Sequence, residues 1–386
     1  YWLAGGEVAN GANLYDNAYI GNLPFTYPPF AGTLFKWISA LADDPLIILW
    51  QGGTILALLA VILMVFHERG LKLSPLTWVV AILLVLCAPA VEPMYGTLFY
   101  GQINIGLMLL VLWDMSRPEG SKLRGIGVGL AAGIKLTPAF FVAYFVVVRQ
   151  WWSAAVAVLT IAATVGLGFV LLPDDSREYW TNSVFQTHRI ADPMHPANQS
   201  LRGMLNHFAG HPVGDIPWLV LAVPVAIASL VISAVLYRRG ERLFAVALAG
   251  LTSAAVSPFS WSHHWVWFVP LLVYLFDKAR ARPWVWLAIV PIYAAAAAWS
   301  WQWSADFTVV GLFHYPPYWS TNWFFKNIFL FVYGAILVGG AVIALRSRPA
   351  SPPPSSPDPA VDHNTAHIPP SVDASQPVAR PVPEPQ

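Results

Sequence analysis

Apolar positions fall into long runs separated by short polar stretches. The runs occupy residues 45–66, 76–93, 97–115, 151–173, 216–236, 243–258, 262–277, 283–303 and 325–345. A helix needs roughly 20 apolar residues to cross a bilayer, and several of the runs approach that length. Runs 243–258 and 262–277 are shorter and predict buried or tilted spans. A further apolar stretch, 125–148, is broken by Lys135-Leu136-Thr137-Pro138. Proline lacks an amide hydrogen and clashes with the preceding turn. The stretch is therefore read either as one plain span or as a hairpin that enters and returns on the same side, a form tolerated at membrane depth where it lines a cavity.

Composition agrees with a membrane interior. The chain is 57% hydrophobic and 11% charged over 386 residues, where soluble domains carry about 25% charged residues. The prediction is an all-α, polytopic membrane protein. A net charge of +1 without a basic stripe excludes nucleic acid as a partner. Cys87 stands alone, so neither a disulfide framework nor a Cys-based metal site is possible.

Most of the 21 lysines and arginines fall in one set of loops: Arg69 and Lys72; Arg117, Lys122 and Arg124; Arg149; Arg238, Arg239 and Arg242; Lys278, Arg280 and Arg282; Arg346 and Arg348. The positive-inside rule makes these loops cytoplasmic. The two sides alternate correctly only if 125–148 is the hairpin, which is the preferred reading. Residues 1–44, 94–102, 174–215, 257–264 and 304–324 then face outward, with seven of the ten histidines. An outward start at Tyr1, which is not a Met, predicts a preceding transmembrane helix. Residues 1–348 are read as the membrane domain and the Pro/Ser-rich 349–386 as a disordered cytoplasmic tail.

The polar residues that interrupt this pattern are the candidate chemistry. Tyr27 lies in a stiff Phe25-Thr-Tyr-Pro-Pro-Phe30 run, and Asp16 is an outer carboxylate nearby; the plain alternatives are a turn and a solvated loop residue. Gln102 and Asn104 open an apolar span, where amides bind either sugar hydroxyls or another helix. Lys135 at membrane depth is costly and points to function, unless it snorkels to an interface. His188, Arg189, Asn198, Gln199 and Arg202 crowd one outer loop, where arginine suits a phosphate. His263 and His264 sit among Trp261, Trp265 and Trp267. Adjacent residues on a helix point about 100° apart, so the pair suits a general base or phosphate partner better than a metal grip. No GxGxxG, P-loop or HExxH pattern is present, so a glycosyl or phosphoryl donor is expected to be a lipid itself.

Five motifs taken together, FTYPPF at 25–30, YGQIN at 100–104, GIKLTP at 133–138, NQSLRG at 198–203 and SPFSWSHHWVW at 257–267, resemble the actinobacterial polyprenyl-phosphate-sugar-dependent glycosyltransferases of family 87. Within that family the similarity is greatest to the α-1,2-mannosyltransferases that extend phosphatidylinositol mannosides. The resemblance covers residues 1–345 and implies a GT-C-type helical bundle. It implies transfer of mannose, with inversion, from polyprenyl-phosphate mannose to a mannosylated phosphatidylinositol-type lipid on the outer face of the cell membrane. The family's catalytic carboxylate is expected just before Tyr1, with Asp16, His263 or His264 as substitutes. Lys135 and Arg202 would then meet the donor phosphate. Tyr27, Gln102, Asn104, His188, Arg189, Asn198, Gln199, Trp261 and Trp265 would line the substrates. No metal or other cofactor is called for. An arabinofuranosyltransferase on the same scaffold, a lipid-sugar flippase and a non-catalytic membrane scaffold are the alternatives.

Overall fold

The computed structural model describes residues 1–20, 23–186, 189–300, 310–314 and 323–346. The Pro/Ser-rich tail and His188 lie outside them. The described chain is helical apart from one short antiparallel strand pair. Helices α1 (Trp2–Ala9) and α2 (Pro29–Ile38) lead to α3 (Asp43–Glu68) and α4 (Pro75–Cys87). Then come α5 (Glu92–Phe99), α6 (Asn104–Ser116), α7 (Ile126–Ile134), α8 (Phe140–Val147) and α9 (Trp151–Leu171). The rest are α10 (Pro173–Thr181), α11 (Leu201–Ala209), α12 (Asp215–Arg238), α13 (Arg242–Val256), α14 (Phe268–Ala281), α15 (Trp286–Ala296), α16 (Trp323–Lys326) and α17 (Ile328–Arg346).

Four of these, α3, α9, α12 and α17, are long and apolar enough to cross a membrane, and α5 with α6 makes a fifth path bent by 118°. The protein is a multi-pass membrane protein. Helix α12 shows how the bilayer acts as solvent: Val220, Ile227 and Val231 are exposed, while Ala222, Ser229 and Ser233 are buried. Helix α13 is buried along nearly its whole length, as expected for a helix that is apolar all round. Ser229, Thr252 and Tyr333 join α12, α13 and α17 through hydroxyl contacts of 2.6 and 2.9 Å. Such polar contacts fasten helices where apolar burial gives little preference for protein over lipid.

The 125–148 stretch folds as a hairpin. Helix α7 ends at Lys135, which is extended (φ −148°, ψ 129°), and a 3₁₀ turn at Thr137–Ala139 leads into α8. Gly125, Gly129 and Gly133 form a stripe at four-residue spacing that lies on α9. A Cβ on Gly125 would sit 2.2 Å from the Ser153 carbonyl oxygen; on Gly129, 2.4 Å from Thr160 Cβ; on Gly133, 2.4 Å from Thr164 Oγ1. The contacts climb in the same order on both helices, so α7 runs parallel to α9. Helix α8 then meets α9 through a tight turn in which Arg149 has φ 64°. The Arg124 guanidinium lies 5.8 Å from the Phe145 ring, so the two ends of the hairpin come back together. In place of an N-cap side chain, buried Asp114 of α6 accepts the Val128 amide at 2.7 Å.

The basic loops meet at one end of the bundle. There Arg69 pairs with Asp277, Arg242 with Glu119 and Lys278 with Glu241. Three of the apolar runs end differently from their hydropathy. Run 76–93 stops as a helix at Cys87, where Pro89 and Pro93 turn the chain through a 3₁₀ segment into α5. Run 262–277 begins its helix only at Phe268, because Ser262–His264 forms a 3₁₀ turn. Run 283–303 is helical over Trp286–Ala296, beyond which the chain pairs back on Val91 and Ala90.

Candidate active site

At the end of the bundle away from the basic loops, four of the five sequence motifs converge on Lys135. The extended backbone at the hairpin tip frees this side chain from the helix. Its ammonium donates to Asn104 Oδ1 at 2.9 Å and contacts His264 Nε2 at 2.9 Å. The Tyr27 ring lies 5.3 Å from Nζ, a cation–π arrangement. An ammonium carries three donors, so one N–H is left for a ligand.

Neighbouring groups hold this arrangement. Asn104, at the start of α6, uses its other end to donate to the His263 carbonyl at 2.9 Å. One amide therefore ties α6, the hairpin tip and the 257–267 loop together. Tyr1 and Tyr27 share a hydroxyl contact of 2.7 Å and both reach Gln102 Oε1, at 2.9 and 3.1 Å. Tyr1 is thus a member of the cluster that the sequence did not single out. His264 Nδ1 lies 3.4 Å from Ser260 Oγ. Burial, reinforced by the Lys135 charge, holds both His263 and His264 well below the ordinary imidazole value, so both are neutral at pH 7. The two histidines differ in role. The His264 ring faces Lys135, whereas the His263 ring packs beside Trp261 and Tyr100. Lys135, Asn104 and His264 open on a small pocket walled by Met108, Phe141 and Trp267.

The remaining candidates lie elsewhere. Asn198 and Gln199 are buried and brace the histidine loop: Asn198 Oδ1 accepts the Ser260 amide, and Gln199 donates to the Lys326 carbonyl. Trp265 is fully buried, stacks with Phe268 and donates to the Gln199 carbonyl. Trp261 stands between His263 and His195. Arg202 pairs with Asp215 at 2.9 Å and covers Trp218. Arg189 donates to the Tyr15 carbonyl and to Ser183. Asp16 is exposed and accepts from Asn13 at 2.8 Å. The cluster also has a buried carboxylate behind it that carried no local sequence signal: Glu92 accepts Ser262 Oγ at 2.7 Å. Its neighbour in sequence is only a proline in an apolar run.

The family model described as glycosyltransferase family 87 matches residues 25–258. The chain is 38% identical over 266 residues to a polyprenol-phosphate-mannose-dependent α-(1-2)-phosphatidylinositol pentamannoside mannosyltransferase of Mycobacterium tuberculosis, covering 68% of this chain and 60% of that protein. A protein of the same name from Mycolicibacterium smegmatis is 34% identical over 281 residues, covering 71% and 68%. A polyprenol-phosphate-mannose-dependent α-(1-2)-phosphatidylinositol mannoside mannosyltransferase of Mycobacterium tuberculosis is 33% identical over 293 residues, covering 71% and 67%. The chain thus spans about three fifths of the first of these relatives, 60% by the aligned share. No solved structure matches.

Proposed function

The chain belongs to glycosyltransferase family 87, and from that premise we propose that it transfers mannose from polyprenyl-phosphate mannose to a mannosylated phosphatidylinositol-type lipid, forming an α-1,2 linkage. Mannose is preferred to arabinofuranose because the three relatives above are all named for it. In this reaction the acceptor 2-hydroxyl bonds to C1 of the donor mannose. The C1–O bond breaks with its electron pair going to the polyprenyl phosphate, and the hydroxyl proton leaves to a base. A single displacement turns a β-linked donor into an α product.

The observation that carries this reading is the Lys135 cluster. Four separated motifs, joined by Tyr1, bring one cation, two amides, two phenols and a neutral imidazole into one connected cluster. Lys135 offsets the charge that builds on the departing phosphate. His264 accepts from its ammonium through Nε2 and so fixes the position of the cation. Gln102 and the paired tyrosines offer hydrogen bonds and ring faces to sugar. Arg202 is held by Asp215 at 2.9 Å, so the phosphate is assigned to Lys135. The position of this cluster at the end remote from the basic loops supports an extracytoplasmic site.

The test is Lys135→Met in purified protein. Turnover of lipid-linked mannose should fall by about 10²-fold or more, while melting and chromatographic behaviour stay near wild type. Wild-type turnover in that variant would remove Lys135 from the reaction.

A further inference from the structure

The turn that carries the histidine pair rests on α5. Ser262 and His264 belong to one 3₁₀ turn, closed by the His264 amide on the Trp261 carbonyl at 2.9 Å and the Trp265 amide on the Ser262 carbonyl at 3.0 Å. Thr97 of α5 is buried, and its hydroxyl lies 3.5 Å from the His263 carbonyl oxygen. Gly96 lets the turn come close: a Cβ there would sit 3.3 Å from His263 Cβ. Glu92, one helical turn earlier, accepts Ser262 Oγ–H through Oε1 at 2.7 Å. Glu92 is 4% exposed, its Oε2 is buried without a hydrogen-bond partner, and it forms no ion pair among the described residues. A buried carboxyl without a cation is costly, and so is a buried oxygen left unpaired. A residue kept at such a cost needs a reason. The side-chain bond that it does make runs to the turn two residues before His264, whose Nε2 meets Lys135.

We propose that Glu92 is a positioning residue: its Oε1 holds the Ser262 hydroxyl, and through the 3₁₀ turn this sets where His264 meets the Lys135 ammonium. Its effect on rate rests on the reaction proposed above; its effect on His264 does not. With no cation facing it, the carboxyl serves the site as a hydrogen-bond acceptor and not as a charge. An amide in its place offers the same acceptor oxygen. Asn104 holds the same turn from α6, through the His263 carbonyl. The turn is thus anchored from two sides, and loss of the Glu92 anchor leaves it to pivot on the other. A small displacement of a group that meets developing charge is enough to slow the chemistry.

The experiment compares Glu92→Gln, Glu92→Ala and Ser262→Ala with wild type in the purified full chain. One readout is kcat and KM for polyprenyl-phosphate mannose. The other is the rate at which diethyl pyrocarbonate modifies His264, followed by peptide mass. Glu92→Gln keeps the acceptor, so kcat and labelling should stay within about threefold of wild type. Glu92→Ala and Ser262→Ala should each lower kcat by about tenfold or more, with a smaller change in KM. Both should speed His264 labelling by about threefold or more, while buried His207 labels as before. Ser262→Ala loses a single hydroxyl and keeps the test open if Glu92→Ala fails to fold. A loss in Glu92→Gln as large as in Glu92→Ala would overturn the proposal, and so would unchanged kcat or unchanged His264 labelling in the folded alanine variants. Faster His264 labelling in those variants, with no mannosyl transfer even by wild type, would uphold the positioning and remove the proposed reaction instead.

Discussion

His263 and His264 are adjacent in sequence, but the fold gives them different tasks. Asn104 holds the His263 carbonyl, and its ring is packed against aromatics; His264 reaches Lys135. His264→Ala should therefore cut mannosyl transfer by about 10²-fold, because the Lys135 ammonium loses the partner that positions it. His263→Ala should act mainly through stability, lowering the melting temperature with a smaller loss of turnover. Equal kinetic losses at equal melting would contradict the assignment. Lys135→Arg keeps the charge but brings a planar fork to a site built around a compact ammonium, so it should recover only part of what Lys135→Met loses. Much of this cluster is legible before folding: Tyr27, Gln102, Asn104, Lys135 and the histidines are polar residues where the apolar pattern has no use for them. Asn198, Gln199 and Trp265 look alike in sequence, yet they are buried braces. The type of a residue tells that it needs a partner; only the fold tells whether that partner is a carbonyl of the same protein or a substrate.

Among the elements, the α7–α8 hairpin decides where Lys135 stands. The basic-residue alternation and Pro138 were enough to expect a chain that turns back. The means by which it fits, a glycine stripe against α9, is a matter of backbone approach that hydropathy does not register. Gly133 is the glycine nearest the hairpin tip. A Cβ there would lie 2.4–2.8 Å from three side-chain atoms of Thr164, whose hydroxyl is already bonded to the Ile161 carbonyl. Gly133→Ala should destabilise by roughly 1–3 kcal/mol through overpacking and, by pushing the tip aside, lower activity as well. Thr164→Gly removes all three clashing atoms. The double variant should therefore recover part of both losses, a coupling readable in a double-mutant cycle of melting and turnover. Simple additivity of the two changes would mean that α7 does not bear on α9 at this point. Helix ends were less legible than helices: Cys87, Phe268 and Ala296 end or begin helices inside apolar runs, because prolines, a 3₁₀ turn and pairing with an earlier segment of the chain rather than polarity set those limits.

For the molecule as a whole, two ends of opposite chemistry imply an orientation and a response to acid. A cysteine at exposed Thr181, in a background with Cys87→Ser, should react with an impermeant thiol reagent on intact cells; labelling only after lysis would place the Lys135 cluster on the other side. The acid response follows from the histidines outside the spans. Burial is the first cause of depression for His195, His207, His263, His264 and His314, and it carries His314 down to about 4, helped by neighbouring His195. In the unfolded chain these groups protonate near 6.5. Between that value and the lower folded values the unfolded state binds more protons, so stability falls as pH drops through this window. For His314 alone the loss at pH 5.5 is on the order of 1 kcal/mol, or roughly 1–2 °C in melting temperature for a protein of this size. Wild type should therefore melt lower at pH 5.5 than at 7.5. His314→Asn, which cannot titrate, should narrow that gap by about this amount. An unchanged gap would mean that His314 is already solvated in the native state and that its packing against Phe313 and His195 does not exclude water.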